Sequence, residues 1–477
     1  MERREVKNIS EVIGNVIILD GHQTIGGNKI LVNHPSGFTL LLDFGMNFKR
    51  KGELFDEFLR IRTQAGLSDY LISGLLPPYK NFYRSDLVEI TPKNLWIDEN
   101  VSPEYVVISH AHLDHMGLVG FLREDIRFIL TPETLAIMKA IEVTGLSHIE
   151  YEYTVFKKRV GGVRPTKSSE KEDFPRRVET SPPDFLKLLP IDHSIPGSSM
   201  VLVDMGSYYL IYSGDFRFSG HRKKLTEKTM DILANIERKK IVLVEGTRFS
   251  SKNPMGTEED VMMEMEKIMK KYEGKLIIVD FGQRNVDRLK TTLEVSKVLG
   301  RRVVVTPKMM YLLLSLTMCD SSYENLLKSV VWYRRKRKEK KWIENLKDLP
   351  SSDYEDISSD PGSYIMCFTY YDILELVDIL IPGKTKGGAY IYSNTEPFNE
   401  EMEIDFKRLK RWVEDILKMD FHGSNEKSFL HVSGHASIDE IVDFLKKINA
   451  NLIIPIHTEK RKEFAKFLEE KGFKVQI

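Results

Sequence analysis

The sequence predicts an α/β protein in which a β-rich frame carries an inserted block built around a parallel sheet. Three observations lead there. Short apolar and β-branched runs bounded by Gly, Asp and Pro fill the first ~215 residues. Strand and helix patterns then alternate from ~218 to ~385. Strand patterns resume after ~386 and run to the end.

The early runs are NVIILD, KILVN, FTLLLDFG, YVVISH, RFILT, SMVLVD and YYLIYSG. Each has four to seven residues that suit a sheet buried on at least one face. PETLAIMKAIEV has helical spacing, and the charged, Pro-containing segment 151–184 reads as a surface excursion. In the inserted block, IVLVEG leads to TEEDVMMEMEKIMKKY, KLIIVDF to NVDRLKTTLEVSKVLG, RVVVT to MMYLLLSLTM, and YIMCF to YDILELVDIL. These are βαβ units. The polar segment 343–362 reads as a loop. The closing part holds AYIYSN, a helix, FLHVSGH, a helix, LIIPIH, a helix and FKVQI. The expected division is 1–217 for the first part of the frame, 218–385 for the insertion and 386–477 for the return.

Composition narrows the function classes. Lys+Arg and Asp+Glu both number 70, so a polyanion partner must find a local patch. Two cysteines, Cys319 and Cys367, exclude a disulfide framework and a thiolate-rich metal site. The N-terminus MERREVKNIS has no apolar stretch behind its charges, which makes a cytoplasmic location the expectation.

The strongest chemical signal is ISHAHLDHMG. It sets His110, His112, Asp114 and His115 directly behind a strand. Three imidazoles and a carboxylate in six positions have no ordinary structural use, because clustered imidazoles repel when protonated. Alternation puts His110 and His112 on one side, and the turn aims Asp114 and His115 at a second point. Nitrogen and oxygen donors without sulfur suit Zn²⁺, with Mn²⁺ as the alternative. LPIDHSIPGS adds His193 and IYSGDFRFSG adds Asp215, each at a strand end. Alone, each would read as structural; their order behind the first motif points to metal binding.

HAHLDHMG, DHSIPGS and SGDFRF together resemble the metallo-β-lactamase superfamily. The resemblance implies an αββα sandwich and two Zn²⁺ ions. His110, His112 and His193 resemble the ligands of one ion, Asp114 and His115 those of the other, and Asp215 the bridge. Asp43 in LLLDFG matches the family's early aspartate, which orients a ligand histidine. Two ions ~3.5–4 Å apart steady both oxygens of a displacement. The superfamily by itself implies only hydrolysis.

Three later segments choose the substrate. VLVEGTRFS carries Glu245, HVSGHAS carries Ser433, Gly434 and His435, and LIIPIHTEK carries His457. A histidine at one strand end is more often a core residue, but this ordered set resembles the β-CASP nuclease branch, and most of all ribonuclease J and its archaeal relatives. GHQTIGGNKILV, with Gly26 and Gly27, carries the same resemblance. It implies that His457 is a further ligand of the second metal. His435 would contact the scissile phosphate or protonate the leaving oxygen, with Asp114 and Glu245 as its catalytic companions. Ser433 and the backbone at Gly434 would meet phosphate oxygens. Those enzymes commonly carry a further C-terminal domain that supports oligomerisation; this chain stops ~20 residues after His457, which puts assembly by that route in doubt.

VVWYRRKRKEKKW spans 330–342 and concentrates Arg334, Arg335, Lys336 and Arg337 between aromatic residues. Phosphate neutralisation beside stacking rings is the logic of single-strand binding; a solvated charged face explains the run equally. FGQRNVDRLK offers Asn285 and Arg288 at a helix start, for an anion or for plain capping. The expected function is a zinc-dependent ribonuclease acting on single-stranded RNA, as a 5′-to-3′ exonuclease, an endonuclease or both. Single-stranded DNA is a second candidate partner, and a homodimer or an RNA-decay complex a candidate assembly. The competing readings are a small-molecule hydrolase of thioesterase or lactamase type and a non-catalytic RNA-binding subunit. The first leaves Glu245, His435 and the insertion unexplained; the second should have lost ligands.

Overall fold

The computed structural model describes residues 11–146, 148–159, 173–251, 256–336, 340–380, 387–395, 397, 400–424 and 429–477. A six-stranded sheet takes its strands in chain order: Glu11–Ile13, Val16–Asp20, Lys29–Asn33, Thr39–Phe44, Tyr105–Val107 and Arg127–Ile129. A five-stranded sheet has the spatial order Leu452–Ile456, Lys240–Glu245, Tyr209–Tyr212, Ser199–Asp204 and Leu186–Pro190.

Period-two alternation decides which side chains meet. Ile30, Val32, Leu40 and Leu42 of the first sheet share one buried core with Val201, Val203, Leu243 and Ile454 of the second. Leu31 and Leu41 face the other way, into the layer that holds helix Pro132–Thr144. Val242, Val244 and Ile453 pack outward on helices Ile438–Lys447 and Arg461–Glu470. The result is the expected αββα sandwich.

A seven-stranded sheet makes the inserted block. Its order is Ser351–Ser352, Val330–Tyr333, Arg302–Val305, Tyr364–Cys367, Leu276–Asp280, Gly388–Tyr392 and Asp420–His422, with every ladder parallel. Ile277, Val279 and Val303 face helices Glu258–Met269, Val286–Leu299 and Pro307–Thr317. Ile278, Val304 and Tyr390 face helices Tyr354–Ser359, Ile373–Ile379 and Glu400–Lys410. Helices on both faces are what a parallel sheet requires.

Sheet membership corrects the expected boundaries at 218 and 386. Lys240–Glu245 pairs with Tyr209–Tyr212 and Leu452–Ile456, so it belongs to the frame. Gly388–Tyr392 and Asp420–His422 pair inside the seven-stranded sheet, so they belong to the insertion. Apolar strands buried on both faces look alike in either sheet, which is why composition misplaced the seams. Segment 343–362 is not a bare loop, since Ser351–Ser352 and helix Tyr354–Ser359 fall in it. FLHVSGH is no strand: buried Leu430 and Val432 anchor an irregular segment. FKVQI contributes a single bridge, Ile453 to Val475.

A buried ionic seam joins insertion to frame. Arg217 reaches Asp287 at 2.7 Å, Asp192 at 3.3 Å and Glu258 at 3.7 Å, while Arg288 reaches Glu258 at 3.1 Å. All five side chains have zero exposure. No described helix is long and apolar enough to cross a membrane.

Asp280 ends an interior strand of the inserted sheet and is buried. Its carboxyl group accepts hydrogen bonds from the Tyr390 hydroxyl at 2.6 Å and Asn394 Nδ2 at 2.7 Å. Burial outweighs them and pushes its pKa up to about 7. The folded state then holds a proton that the unfolded chain releases near pH 4, so stability falls as pH rises from ~4 to ~7. Asp280→Asn is expected to flatten that slope, by up to about 4 kcal/mol over the interval. Urea denaturation of both proteins at several pH values is the check; parallel curves would refute it.

Candidate metal centre

The site lies on the rim where strands of both sandwich sheets end. His110 follows Tyr105–Val107, and His112 sets the start of the short helix Leu113–Met116 that carries Asp114 and His115. His193 follows Leu186–Pro190, Asp215 follows Tyr209–Tyr212, and His457 follows Leu452–Ile456. Glycines press the first motif into place. The backbone of Gly27 donates to the Asp114 carbonyl at 2.9 Å. A Cβ on Gly45 would stand 1.6 Å from that same oxygen, so no other residue fits there.

Two overlapping groups form. His110, His112, His193 and Asp215 bring four donor atoms within 4.8 Å of one another, as do Asp114, His115, Asp215 and His457. Asp215 belongs to both. Its Oδ2 lies 3.1 Å from His115 Nε2, 3.6 Å from His110 Nε2 and 3.9 Å from His193 Nε2. His112 Nδ1 lies 3.1 Å from His110 Nε2 and 3.0 Å from His193 Nε2. All seven side chains expected to bind metal are thus brought together.

Outer partners set which nitrogen faces inward. His193 Nδ1 donates to the Gly434 carbonyl at 2.5 Å, and His115 Nδ1 donates to Asp43 Oδ2 at 2.7 Å. Asp43 is held by the Ser109 hydroxyl at 2.7 Å and the Tyr212 hydroxyl at 2.5 Å. It adopts φ 56°, a left-handed conformation that costs a non-glycine of order 1–3 kcal/mol and clusters at functional sites. The Thr247 hydroxyl donates to Glu245 at 2.6 Å and lies 2.8 Å from His457 Nδ1. It therefore accepts the His457 proton, and the Nε2 lone pairs of His115, His193 and His457 all point into the cluster.

The electrostatics fit a cation. Burial holds His110 and His193 well below the ordinary imidazole range and lowers His112 to about 4, so these rings are neutral donors. Burial works against charge on His115 too, but Asp215 and Asp114 outweigh it and raise its pKa well above the usual value. Asp215 stays ionised despite burial because His115, His457 and His435 surround it. Its Oδ1 is buried without a hydrogen-bond partner. Neutral nitrogen lone pairs beside uncompensated carboxylates form the donor set of a metal cofactor.

A third group, Asp215, Glu245 and His435, closes the site. His435 Nδ1 donates to Glu245 Oε2 at 2.8 Å, and the Phe216 amide donates to Glu245 Oε1 at 3.0 Å. Burial depresses His435, yet Glu245 and then Asp215 overcome it and raise the pKa to about 9. The ring keeps 20% of its side-chain surface exposed. Ser433 Oγ accepts from the His435 amide at 3.2 Å. Gly434, whose backbone was expected to meet phosphate oxygens, lies against His193: a Cβ there would stand 2.8 Å from His193 Cε1.

The basic run is mostly engaged elsewhere. Arg334 pairs with Asp353 at 2.6 Å, Arg335 with Asp372 at 2.9 Å and Glu375 at 3.2 Å, and Lys336 lies 4.2 Å over the Tyr354 ring. Arg337 lies outside the described residues. Asn285 caps its helix through the Arg288 amide, and Arg288 is locked to Glu258. Sequence reasoning missed Thr247, although it sits two residues beyond Glu245, on the same side of an extended chain. It also missed Arg217 and Tyr212, whose partners are distant in sequence.

Comparison with known proteins agrees with this geometry. Residues 90–238 match the metallo-beta-lactamase superfamily, and residues 426–477 match the Zn-dependent metallo-hydrolase RNA specificity domain. Ribonuclease J of Pyrococcus abyssi is 21% identical over 96% of this chain and 93% of its own. Over residues 90–238 the chain is thus similar to the metallo-β-lactamase superfamily, and over nearly its whole length to ribonuclease J. Ribonuclease J of Methanocaldococcus jannaschii is 20% identical over 96% of this chain and 95% of its own. In fold, this ribonuclease J-like chain is similar to a crystal structure of a protein of unknown function from Enterococcus faecalis. The TM-score is 0.68 at 18% identity, covering 97% of each chain.

The Glu245–His435 contact makes a measurable prediction. In metal-free protein, Glu245→Gln should lower the His435 pKa from about 9 by one unit or more, since it removes the largest charge that raises it. An NMR pH titration of the ring reads this directly; an unmoved His435 would place the cause elsewhere.

Proposed function

We propose that this protein is a zinc-dependent ribonuclease that hydrolyses phosphodiester bonds of single-stranded RNA. The observation that carries the reading is His435 on Glu245, 2.8 Å apart, at the edge of the metal-ligand cluster. A generic metal hydrolase has no use for a fixed, proton-bearing imidazole at that edge; a phosphodiesterase needs one for the phosphate or the leaving oxygen. The small-molecule and non-catalytic readings leave this pair, or the complete ligand set, without a purpose.

His110, His112 and His193 would hold one ion, Asp114, His115 and His457 the other, and Asp215 both. Two divalent ions, when bound, supply an activated nucleophile and neutralise phosphate charge. The chain's own residues do the rest. Glu245 takes the Nδ1 proton of His435, so Nε2 is the atom turned to the substrate. At neutral pH that nitrogen carries a proton, which would hydrogen-bond the substrate phosphate and be transferred to the leaving oxygen as its bond to phosphorus breaks. Thr247 links this pair to His457 and keeps both rings in register. Asp43, through Ser109 and Tyr212, fixes the ring of His115. Zinc is the favoured metal for an N/O set without sulfur, in a cytoplasmic protein that acts on RNA in processing or decay.

His435→Ala should keep two zinc ions per chain and bind RNA almost normally. Its single-turnover cleavage should fall by about 10²–10⁴, the range for a positioned acid. Loss of a metal in that variant, measured by elemental analysis, would make His435 a ligand. Full activity would favour the small-molecule reading. Asp114→Ala should instead lose metal and cleavage together.

A further inference from the structure

Arg284 stands beyond the carboxyl end of an interior inserted strand, in the loop between Leu276–Asp280 and helix Val286–Leu299. The carboxyl edge of a parallel sheet is where such folds bind ligands. Its guanidinium is within electrostatic reach of Asp114 and His112 of the metal rim, and of Tyr151 and Tyr153 of the frame. Yet it forms no hydrogen bond or ion pair with a described residue. The other arginines beside the site, Arg217 and Arg288, are locked to carboxylates. Tyr153 is 2% exposed, and its hydroxyl likewise has no partner among the described residues. The Tyr151 and Tyr153 rings lie 6.0 Å apart, and Tyr151 also lines an open cleft of about 590 Å³ with Lys51, Phe55 and Arg408. Lys308, the next cation along the same sheet edge, feels Arg284 in turn.

Neither the Arg284 guanidinium nor the Tyr153 hydroxyl is tied up by a described protein group, so both are available to a ligand that supplies acceptors. Asp114 is close but is claimed by the metal set. We infer that Arg284 and Tyr153 form a phosphate subsite on the His112–Asp114 side of the centre. It would grip the phosphate next to the scissile one in the RNA strand, on the flank opposite His435. This rests on the ribonuclease reading above. Arginine suits the task because its fork of donors matches two phosphate oxygens.

The test compares two substrates. Bis(p-nitrophenyl) phosphate has one phosphodiester and no neighbouring phosphate, whereas an RNA oligonucleotide has many. Arg284→Ala should lower kcat/KM on RNA about 10–100-fold, the loss of one charge-assisted contact, and leave the small ester within about twofold. RNA binding in EDTA, read by fluorescence anisotropy, should lose about 0.7 from its log–log salt slope. Arg284→Lys should retain part of the slope. Tyr153→Phe, which keeps the ring packed and removes one oxygen, should slow RNA cleavage several-fold and spare the ester. Unchanged RNA cleavage and slope in Arg284→Ala would overturn the subsite. An equal fall on both substrates would overturn it too, since the residue would then serve the reacting group. Wild-type protein that cleaves the ester and not RNA would remove the ribonuclease reading itself, and the subsite with it.

Discussion

The structure turns on one buried carboxylate. Asp215 lies within 3.1–3.9 Å of nitrogens from His115, His110, His457, His193 and His435. No folded protein gathers that many titratable groups in its interior without a compensating charge, because each would otherwise stay solvated in the unfolded chain. The constraint reaches outward. The ligands come from four strand ends, Tyr105–Val107, Leu186–Pro190, Tyr209–Tyr212 and Leu452–Ile456, so both sandwich sheets must finish on a common rim. Gly45 must let the Asp114 backbone sit flush against it, and Gly26 must leave room for the Asp114 side chain. Asp43 and His457 must hold left-handed backbones at φ 56° and 51°. Strain of that kind persists only where the surroundings over-determine it.

A second layer converts crowding into order. Imidazoles packed at 3.0–3.2 Å could point either nitrogen at one another. The Gly434 carbonyl, Asp43 and Thr247 each take one proton outward, which leaves three lone pairs turned inward. Thr247 serves two masters: it donates to Glu245 and accepts from His457. The ligand cluster and the Glu245–His435 pair are therefore one hydrogen-bonded unit, and disturbing either part moves the other.

How much of this was legible in the sequence follows from distance along the chain. ISHAHLDHMG is readable because four groups fall in six positions, and strand alternation with a turn aims them. The resemblance then supplied His193, Asp215, Glu245, His435 and His457, all of which the fold gathers on one rim. The inserted block was visible as alternating strands and helices, but its seams were not. Lys240–Glu245 and Gly388–Tyr392 are equally apolar, and only the partner strand decides which sheet each joins. The sequence also could not show that the missing Cβ of Gly434 makes room for His193. Nor do charge counts show the carboxylates of Asp353, Asp372 and Glu375 folded against the run from Arg334. Arg284 carries no local signal at all, since what distinguishes it is the lack of a partner in three dimensions.

The buried seam also fixes one side of the site. Arg217, Asp192, Asp287, Glu258 and Arg288 are sealed from water, and Arg217 also holds the Ser433 carbonyl at 3.1 Å. Separating insertion from frame there would strand buried charges at about 3–5 kcal/mol for each broken pair. That flank, which carries the His435 segment, is therefore closed and rigid. Elsewhere along the rim, Tyr151 of the frame lines an open cleft with Lys51 and Arg408, whose charges are paired with Glu150 and Asp405. Arg284 of the insertion is partly buried and has no hydrogen bond or ion pair with a described residue. The ionic network therefore seals one side of the centre, while Arg284 keeps its charge uncommitted.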